Sequence, residues 1–134
     1  MIYLDSSIII RMLEGNDRVR LPIERKLAAL NVTERVLVTS RLSTLECRSK
    51  PLRDNDTDLL ELFDRFFRAG EVLVQEIDSD VIDKATELRA FVGLKTPDAI
   101  HVATFMLLNA KSFWSTDTRI KRCPGIAVEL FPAV

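Results

Sequence analysis

Short apolar runs alternate along this chain with longer stretches whose apolar residues recur at helical spacing. Ile2-Tyr3-Leu4 is a β-prone run that ends at Asp5. Ser6 or Ser7 is then placed to cap a helix through Ile8, Ile9, Ile10, Met12 and Leu13, stopped by Gly15-Asn16. A second short helix is expected after Pro22. Val36-Leu37-Val38 is continuously apolar, as a strand buried on both faces requires. Ser40 suits the N-cap of a helix carrying Leu42, Leu45 and Glu46, which Pro51 is expected to break. From Asp54 to Arg68, the positions Leu59, Leu62, Phe63, Phe66 and Phe67 keep helical spacing until Gly70. Val72-Leu73-Val74 with Ile77 is the next strand, and Ser79 caps a helix through Ile82, Ala85, Leu88 and Phe91. Thr96-Pro97, a capping hydroxyl followed by a first-turn proline, opens another helix. That segment, Pro97 to about Ala110, is apolar almost all round and is expected to be the central buried helix. Phe113-Trp114 and Ile126-Ala127-Val128 are the last strand candidates. Strands alternating with helices predict an α/β fold: a three-layer α/β/α sandwich with a mainly parallel central sheet.

At 134 residues the chain is expected to form one domain, residues 1–134. Its 47% hydrophobic and 29% charged residues exclude a disordered, collagenous or disulfide-scaffold chain. The formal net charge is −1, so any nucleic-acid contact must come from a local basic patch. The longest stretch without a charged residue, Ala99 to Ala110, is too short to cross a bilayer. Asp5 and Arg11 interrupt the N-terminal apolar residues, which leaves no signal-peptide core. Cys47 and Cys123 form no ligand pair at metal-site spacing. A reduced, cytoplasmic protein without a membrane partner is expected.

Open α/β sheets bind ligands in the crevice beyond the carboxyl ends of their strands. Asp5 lies at such an end, and Asp117 lies just after Phe113-Trp114-Ser115-Thr116. Asp98 falls in the first turn of the most buried helix, where the backbone dipole partly offsets its charge. Glu46 sits in the helix after the second strand. A parallel sheet can gather these four acids at one end. Packed like charges repel, and burial raises their pKa, so such a cluster is costly unless a cation fills it. Oxygen-only ligation suits Mg2+ or Mn2+, which can activate water and clamp a phosphodiester for in-line displacement. Taken singly, each acid also has an ordinary role open to it. Asp5 and Asp117 can be cap or turn residues, and Asp98 can compensate a helix dipole. Ser43-Thr44-Leu45-Glu46 also fits a capping box.

Together these residues resemble the PIN domain, and within it the VapC-type ribonuclease toxins of toxin–antitoxin pairs. The resemblance spans essentially the whole chain. It is carried by Ile2-Tyr3-Leu4-Asp5-Ser6-Ser7, by Val38-Thr39-Ser40 with Leu45-Glu46, by Thr96-Pro97-Asp98-Ala99-Ile100-His101 with Ala103-Thr104, and by Ser115-Thr116-Asp117. It implies that Asp5, Glu46, Asp98 and Asp117 form a catalytic, metal-binding acidic quartet. Asp5 and Asp98 are then the principal metal positions, with Glu46 and Asp117 completing the pocket. It further implies Mg2+- or Mn2+-dependent cleavage of RNA, leaving a 5′-phosphate and a 3′-hydroxyl. Homodimerisation and neutralisation by a cognate VapB-like antitoxin are implied as well.

The remaining signals are less pointed. Arg48, Lys50 and Arg53 follow Glu46, and Arg119, Lys121 and Arg122 follow Asp117. They read equally as phosphate contacts or as a solvated face. Arg11, one turn beyond Ser7, is within reach of the pocket. His101 is expected to be a satisfied core histidine, with a role near substrate as the alternative. Asp54-Asn55-Asp56-Thr57-Asp58 imitates the start of an EF-hand loop. Leu59 and Arg65 stand where that loop needs glycine and glutamate, so these acids are read as helix N-terminal compensation. The Phe63, Phe66, Phe67 stripe is read as core, with a dimer- or antitoxin-facing patch as the alternative, and the two cysteines as small buried hydrophobes. An aspartyl phosphatase would need an acid where Ser7 stands, and no phosphate loop supports an NTPase. A catalytically inactive PIN-like module that binds RNA or a partner is the main alternative to a nuclease.

Overall fold

Strands and helices alternate through residues 1–132, the part of the chain that this computed structural model describes. In chain order they are β1 Ile2–Leu4, α1 Ser6–Glu14, α2 Asp17–Ala29, β2 Leu37–Ser40, α3 Arg41–Arg53 and α4 Thr57–Arg68. There follow β3 Val72–Gln75, α5 Ser79–Phe91, α6 Thr96–Leu107, β4 Ser112–Ser115, a 3-10 turn Thr118–Arg122 and β5 Val128–Leu130. The five strands form one sheet in the order β3-β2-β1-β4-β5, every neighbouring pair parallel. In β1, Ile2 faces Leu37 of β2 and Ser112 of β4.

Side-chain alternation along the strands divides the core in two. Tyr3 and Phe113 project into a cluster with Val81, Leu88, Ala99, Val102 and Phe105 from α5 and α6. Ile2, Leu4 and Trp114 project the other way, onto Ile8, Ile9, Ile23, Cys47 and Phe63 from α1 to α4. The central strands are therefore apolar on both faces, as the sequence pattern requires of a sheet sandwiched between helical layers. Phe63 is fully buried, and Phe66 and Phe67 pack against the same cluster, so the aromatic stripe is core. Both cysteines are buried and unpaired. No helix among the described residues is long and apolar enough to cross a membrane.

The structure corrects several helix boundaries. The first helix is capped by Asp5 rather than by Ser6 or Ser7, and α5 by Asp78 rather than by Ser79. In both places an aspartate one or two residues upstream takes the orphan N–H groups instead. Thr96 is the first helical residue of α6, and Lys95, its N-cap, makes no side-chain capping bond. The second helix begins at Asp17, with Pro22 in its interior; the carbonyl that loses its partner belongs to exposed Arg18, where water can replace the bond. Pro51 does not break α3, which runs on to Arg53, because in its last turn it removes a single ladder bond. The final strand starts at Val128 and not at Ile126. Gly15 does end α1 as expected. A side chain there would meet the Arg11 carbonyl at 2.5 Å and Val19 at 2.6 Å, so α2 can follow closely only behind a glycine.

Candidate active site

The sheet order puts the topological switch point between β1 and β4. From β1 the chain builds outward through β2 and β3, then returns to lay β4 and β5 on the other side. Crevices beyond the carboxyl ends of strands at such a point are where open α/β sheets hold ligands. Asp5 follows β1 directly, and its N–H donates to the Trp114 carbonyl at 3.2 Å. The residue is only 8% exposed. Oδ1 accepts from the Ile8 N–H at 3.3 Å and from the Ser7 hydroxyl, while Oδ2 accepts from the Ser115 hydroxyl at 2.5 Å. Each of those hydroxyls also accepts from the loop after β4, from the N–H groups of Thr116 at 3.2 Å and Asp117 at 3.0 Å. Ser7 and Ser115 thus lock the ends of the two central strands together around Asp5. Burial raises the Asp5 pKa, against the opposing pull of Ser115, Ser7 and His101.

Asp98 lies in the first turn of α6, half-buried. Its pKa is raised, first by desolvation and then by the charge of Asp117, with Asp5 adding to it; Arg119 and His101 oppose the shift. Asp117 caps the 3-10 turn through the Arg119 N–H at 2.9 Å. The Arg119 guanidinium grips both of its oxygens, with Nη2 at 2.6 Å and Nε at 2.9 Å from Oδ2, and this bond lowers the Asp117 pKa. So Asp98 lies in the field of Asp5 and Asp117, and among the described residues Asp117 alone of the three has an ion-pair partner.

Glu46 reaches the same region from another direction. Its Oε1 lies 2.6 Å from Nε2 of His101, and Nδ1 of His101 lies 2.6 Å from the Tyr3 hydroxyl. This chain of contacts runs from α3 across the carboxyl edge of the sheet to α6 and back to β1. The capping-box reading of Glu46 is not what the structure shows, since Ser40 caps α3 and Ser43 pairs with the Thr39 hydroxyl at 2.7 Å. His101 is a satisfied core histidine as expected, 4% exposed, but its partner is one of the four acids. No local spacing announces that partner. Spacing is equally silent on what Ser7, Ser115 and Arg119 do here, although each lies two residues from an aspartate of the quartet.

A PIN-domain family model matches residues 2–126. The chain belongs to the PIN-domain family. No curated protein sequence matches it significantly. Among solved structures it is similar to a VapBC2 complex from Rickettsia felis bound to a promoter DNA fragment. That likeness has 16% identity and a TM-score of 0.77 over 98% of this chain and 99% of that chain. A toxin–antitoxin complex from Klebsiella pneumoniae aligns at 20% identity and a TM-score of 0.74, covering 100% of both chains. Mycobacterium tuberculosis VapC20, described as a sarcin–ricin loop cleaving toxin, aligns at 16% identity and a TM-score of 0.75. That match covers 90% of this chain and 93% of the other. At these identities the likeness shows the fold.

In this PIN domain a cleft of about 70 Å3 opens beside Asp98, lined by Gly93, Leu94, Lys95, Arg119 and Arg122. Larger clefts of about 440 and 370 Å3 lie elsewhere and touch none of the four acids. Arg11, expected within reach of the pocket, instead donates to the carbonyls of Phe131 at 2.6 Å and Pro132 at 3.2 Å. Arg48, Lys50 and Arg53 each pair with an acid at the surface, which favours the solvated-face reading for that cluster. Among the described residues no three of His, Cys, Asp and Glu converge closely enough to chelate an ion. Both nitrogens of His101 are engaged, so the available donors are carboxylate oxygens. Such a set suits a hard cation held by one or two carboxylates and water, and not a closed cage.

Proposed function

We propose that this PIN domain, residues 1–134, is a VapC-type toxin: a Mg2+- or Mn2+-dependent endoribonuclease. The observation that supports the reading is Asp5, buried at the switch point and tied by Ser115 to the end of β4, with its charge and that of Asp117 both felt by Asp98. Acids held in that state are ready to gain from a cation. Asp5 and Asp98 would hold the ion, and Glu46 and Asp117 would complete the pocket. Once bound, the ion supplies charge neutralisation at the scissile phosphate and a lowered pKa for attacking water. Lys95 and Arg122 around the cleft beside Asp98 fit the phosphates on either side and place the backbone without reading its sequence. Ser7 and Ser115 keep Asp5 from swinging out of the site.

A VapB-like antitoxin as partner is supported by the VapBC complexes among the structural neighbours. Action as a homodimer in the cytoplasm completes the proposal. The grip of Arg119 on Asp117 favours a second reading, an inactive PIN-like module that binds RNA or a partner. Incubation of total cellular RNA with the partner-free protein, with and without Mg2+ or Mn2+ and beside Asp98→Asn, separates the two. The sarcin–ricin loop named for the mycobacterial neighbour belongs among the substrates. Discrete metal-dependent cuts with 5′-phosphate ends, absent from the variant, are expected. Intact RNA with folded, Mn2+-binding protein would favour the inactive module.

A further inference from the structure

Within that reading, the structure assigns a further role to the only histidine of the chain. We propose that His101 is a positioning residue: its Nδ1 accepts a hydrogen bond from the Tyr3 hydroxyl, and its Nε2–H donates to Glu46 and holds that carboxylate in place.

The assignment follows from which atoms can donate. A carboxylate only accepts, so the 2.6 Å contact between Nε2 and Glu46 Oε1 needs its hydrogen from the imidazole. In the neutral ring Nδ1 is then a bare lone pair. The Tyr3 hydroxyl, 2.6 Å away, supplies the hydrogen it requires. Tyr3 cannot turn away from this duty. Its ring is fully buried, stacked on Phe113 at 5.0 Å and 19°, and set edge-on to Phe105 at 6.3 Å. The imidazole stands edge-on to the same ring at 5.8 Å. A rigid aromatic stack in one core layer therefore fixes the tautomer of a buried histidine. That tautomer in turn fixes a carboxylate borne by the helix of the other layer.

The side chain of Glu46 is 27% exposed, against 5% for His101, so the carboxylate marks the point where the relay emerges at the site. Among the described residues, Oε1 is its only hydrogen-bonded oxygen. Oε2 is left for water or the reacting groups. A histidine held this way, donating through one nitrogen while the other is pinned, orients a carboxylate as outer partners orient metal ligands.

Because the chain has one histidine, histidine labelled with 15N gives a single imidazole. A long-range proton–nitrogen correlation spectrum of the metal-free protein is expected to show a pyridine-like Nδ1 and a protonated Nε2. His101→Leu, which has no donor, is expected to lower kcat on RNA by about 10–100-fold with KM unchanged. It should weaken calorimetric Mn2+ affinity in the same sense. His101→Gln, whose amide N–H can stand in for Nε2–H, is expected to restore most of both. If His101→Leu does not fold, Tyr3→Phe carries the same readouts, because it keeps the ring and removes only the proton donor. A proton on Nδ1, wild-type kinetics in His101→Leu, or a folded His101→Gln no better than leucine would each overturn the role of His101 alone. A wild-type chain that neither binds Mn2+ nor cuts RNA would overturn the functional reading, and the role of Glu46 with it.

Discussion

Replacing Tyr3 by phenylalanine isolates the buried contact between Tyr3 and His101. The ring keeps its stacking on Phe113 and its edge contact with Phe105, so the apolar area buried by residue 3 is unchanged. What disappears is a 2.6 Å hydrogen bond between residues that are 0% and 4% exposed. Nδ1 of His101 is left without a donor in a place water does not reach. An unsatisfied buried group of this kind costs about 1–3 kcal/mol. For 134 residues at roughly 2.1 cal/mol/K of unfolding entropy each, 1 kcal/mol corresponds to about 3.6 °C in Tm. Tyr3→Phe is therefore predicted to lower Tm by about 4–11 °C, measured by circular dichroism or calorimetry. The double variant Tyr3→Phe, His101→Leu removes both partners and should be less destabilised than the two single changes added together. A Tm for Tyr3→Phe within about 1 °C of wild type, or strict additivity in the cycle, would refute the reasoning that links the two side chains.

Asp98→Asn should raise the stability of the metal-free protein at pH 7, because desolvation and then the Asp117 charge lift the Asp98 pKa in the folded state. A carboxyl raised on folding contributes most below its unfolded pKa of about 3.9 and loses that contribution as pH climbs through its folded value. Asparagine imitates the protonated form, so the Tm gap over wild type should be widest at neutral pH and close towards about pH 4. A gap that widens on acidification would reverse the sign of the argument. In the core, Phe63→Ala should cost about 3–5 kcal/mol in a urea melt, since Phe63 is fully buried. Phe91, 87% exposed, should tolerate the same change within about 0.5 kcal/mol.

Two acids of the candidate site were legible as strand-end residues because an aspartate closely following an apolar run marks such an end. Asp5 follows Ile2-Tyr3-Leu4, and Asp117 follows Phe113-Trp114, without any long-range information. The layers were legible for a related reason, since Ile2-Tyr3-Leu4 has no polar face to give to water. The run Val36-Leu37-Val38 misplaces β2 by one residue, because Val36 is exposed and the strand runs from Leu37 to Ser40. Helix starts were less legible because adjacent cap formers compete. Asp78 and Ser79 can both cap, and packing decides between them. The prolines misled because Pro22 and Pro51 sit where a single lost backbone bond is tolerable. The contact of Glu46 with His101 spans 55 residues, and only the sheet order brings α3 and α6 to the same edge. Spacing leaves Arg119 open between a phosphate contact and a solvated face, because it cannot show that the guanidinium folds back onto Asp117.

The claim that matters most is that the carboxylates at the switch point form a cation site, and a calorimetric Mn2+ titration of the purified chain tests it directly. Wild type, Asp5→Asn and Asp98→Asn would be compared at one pH, with Tm recorded at each metal concentration. At 100 times its Kd, Mn2+ should stabilise the wild-type protein by about 2.7 kcal/mol. Both variants should lose the binding isotherm and the Tm shift while remaining folded. Equal Kd values and equal Tm shifts in all three proteins would contradict the account, because Asp5 and Asp98 would then hold no ion.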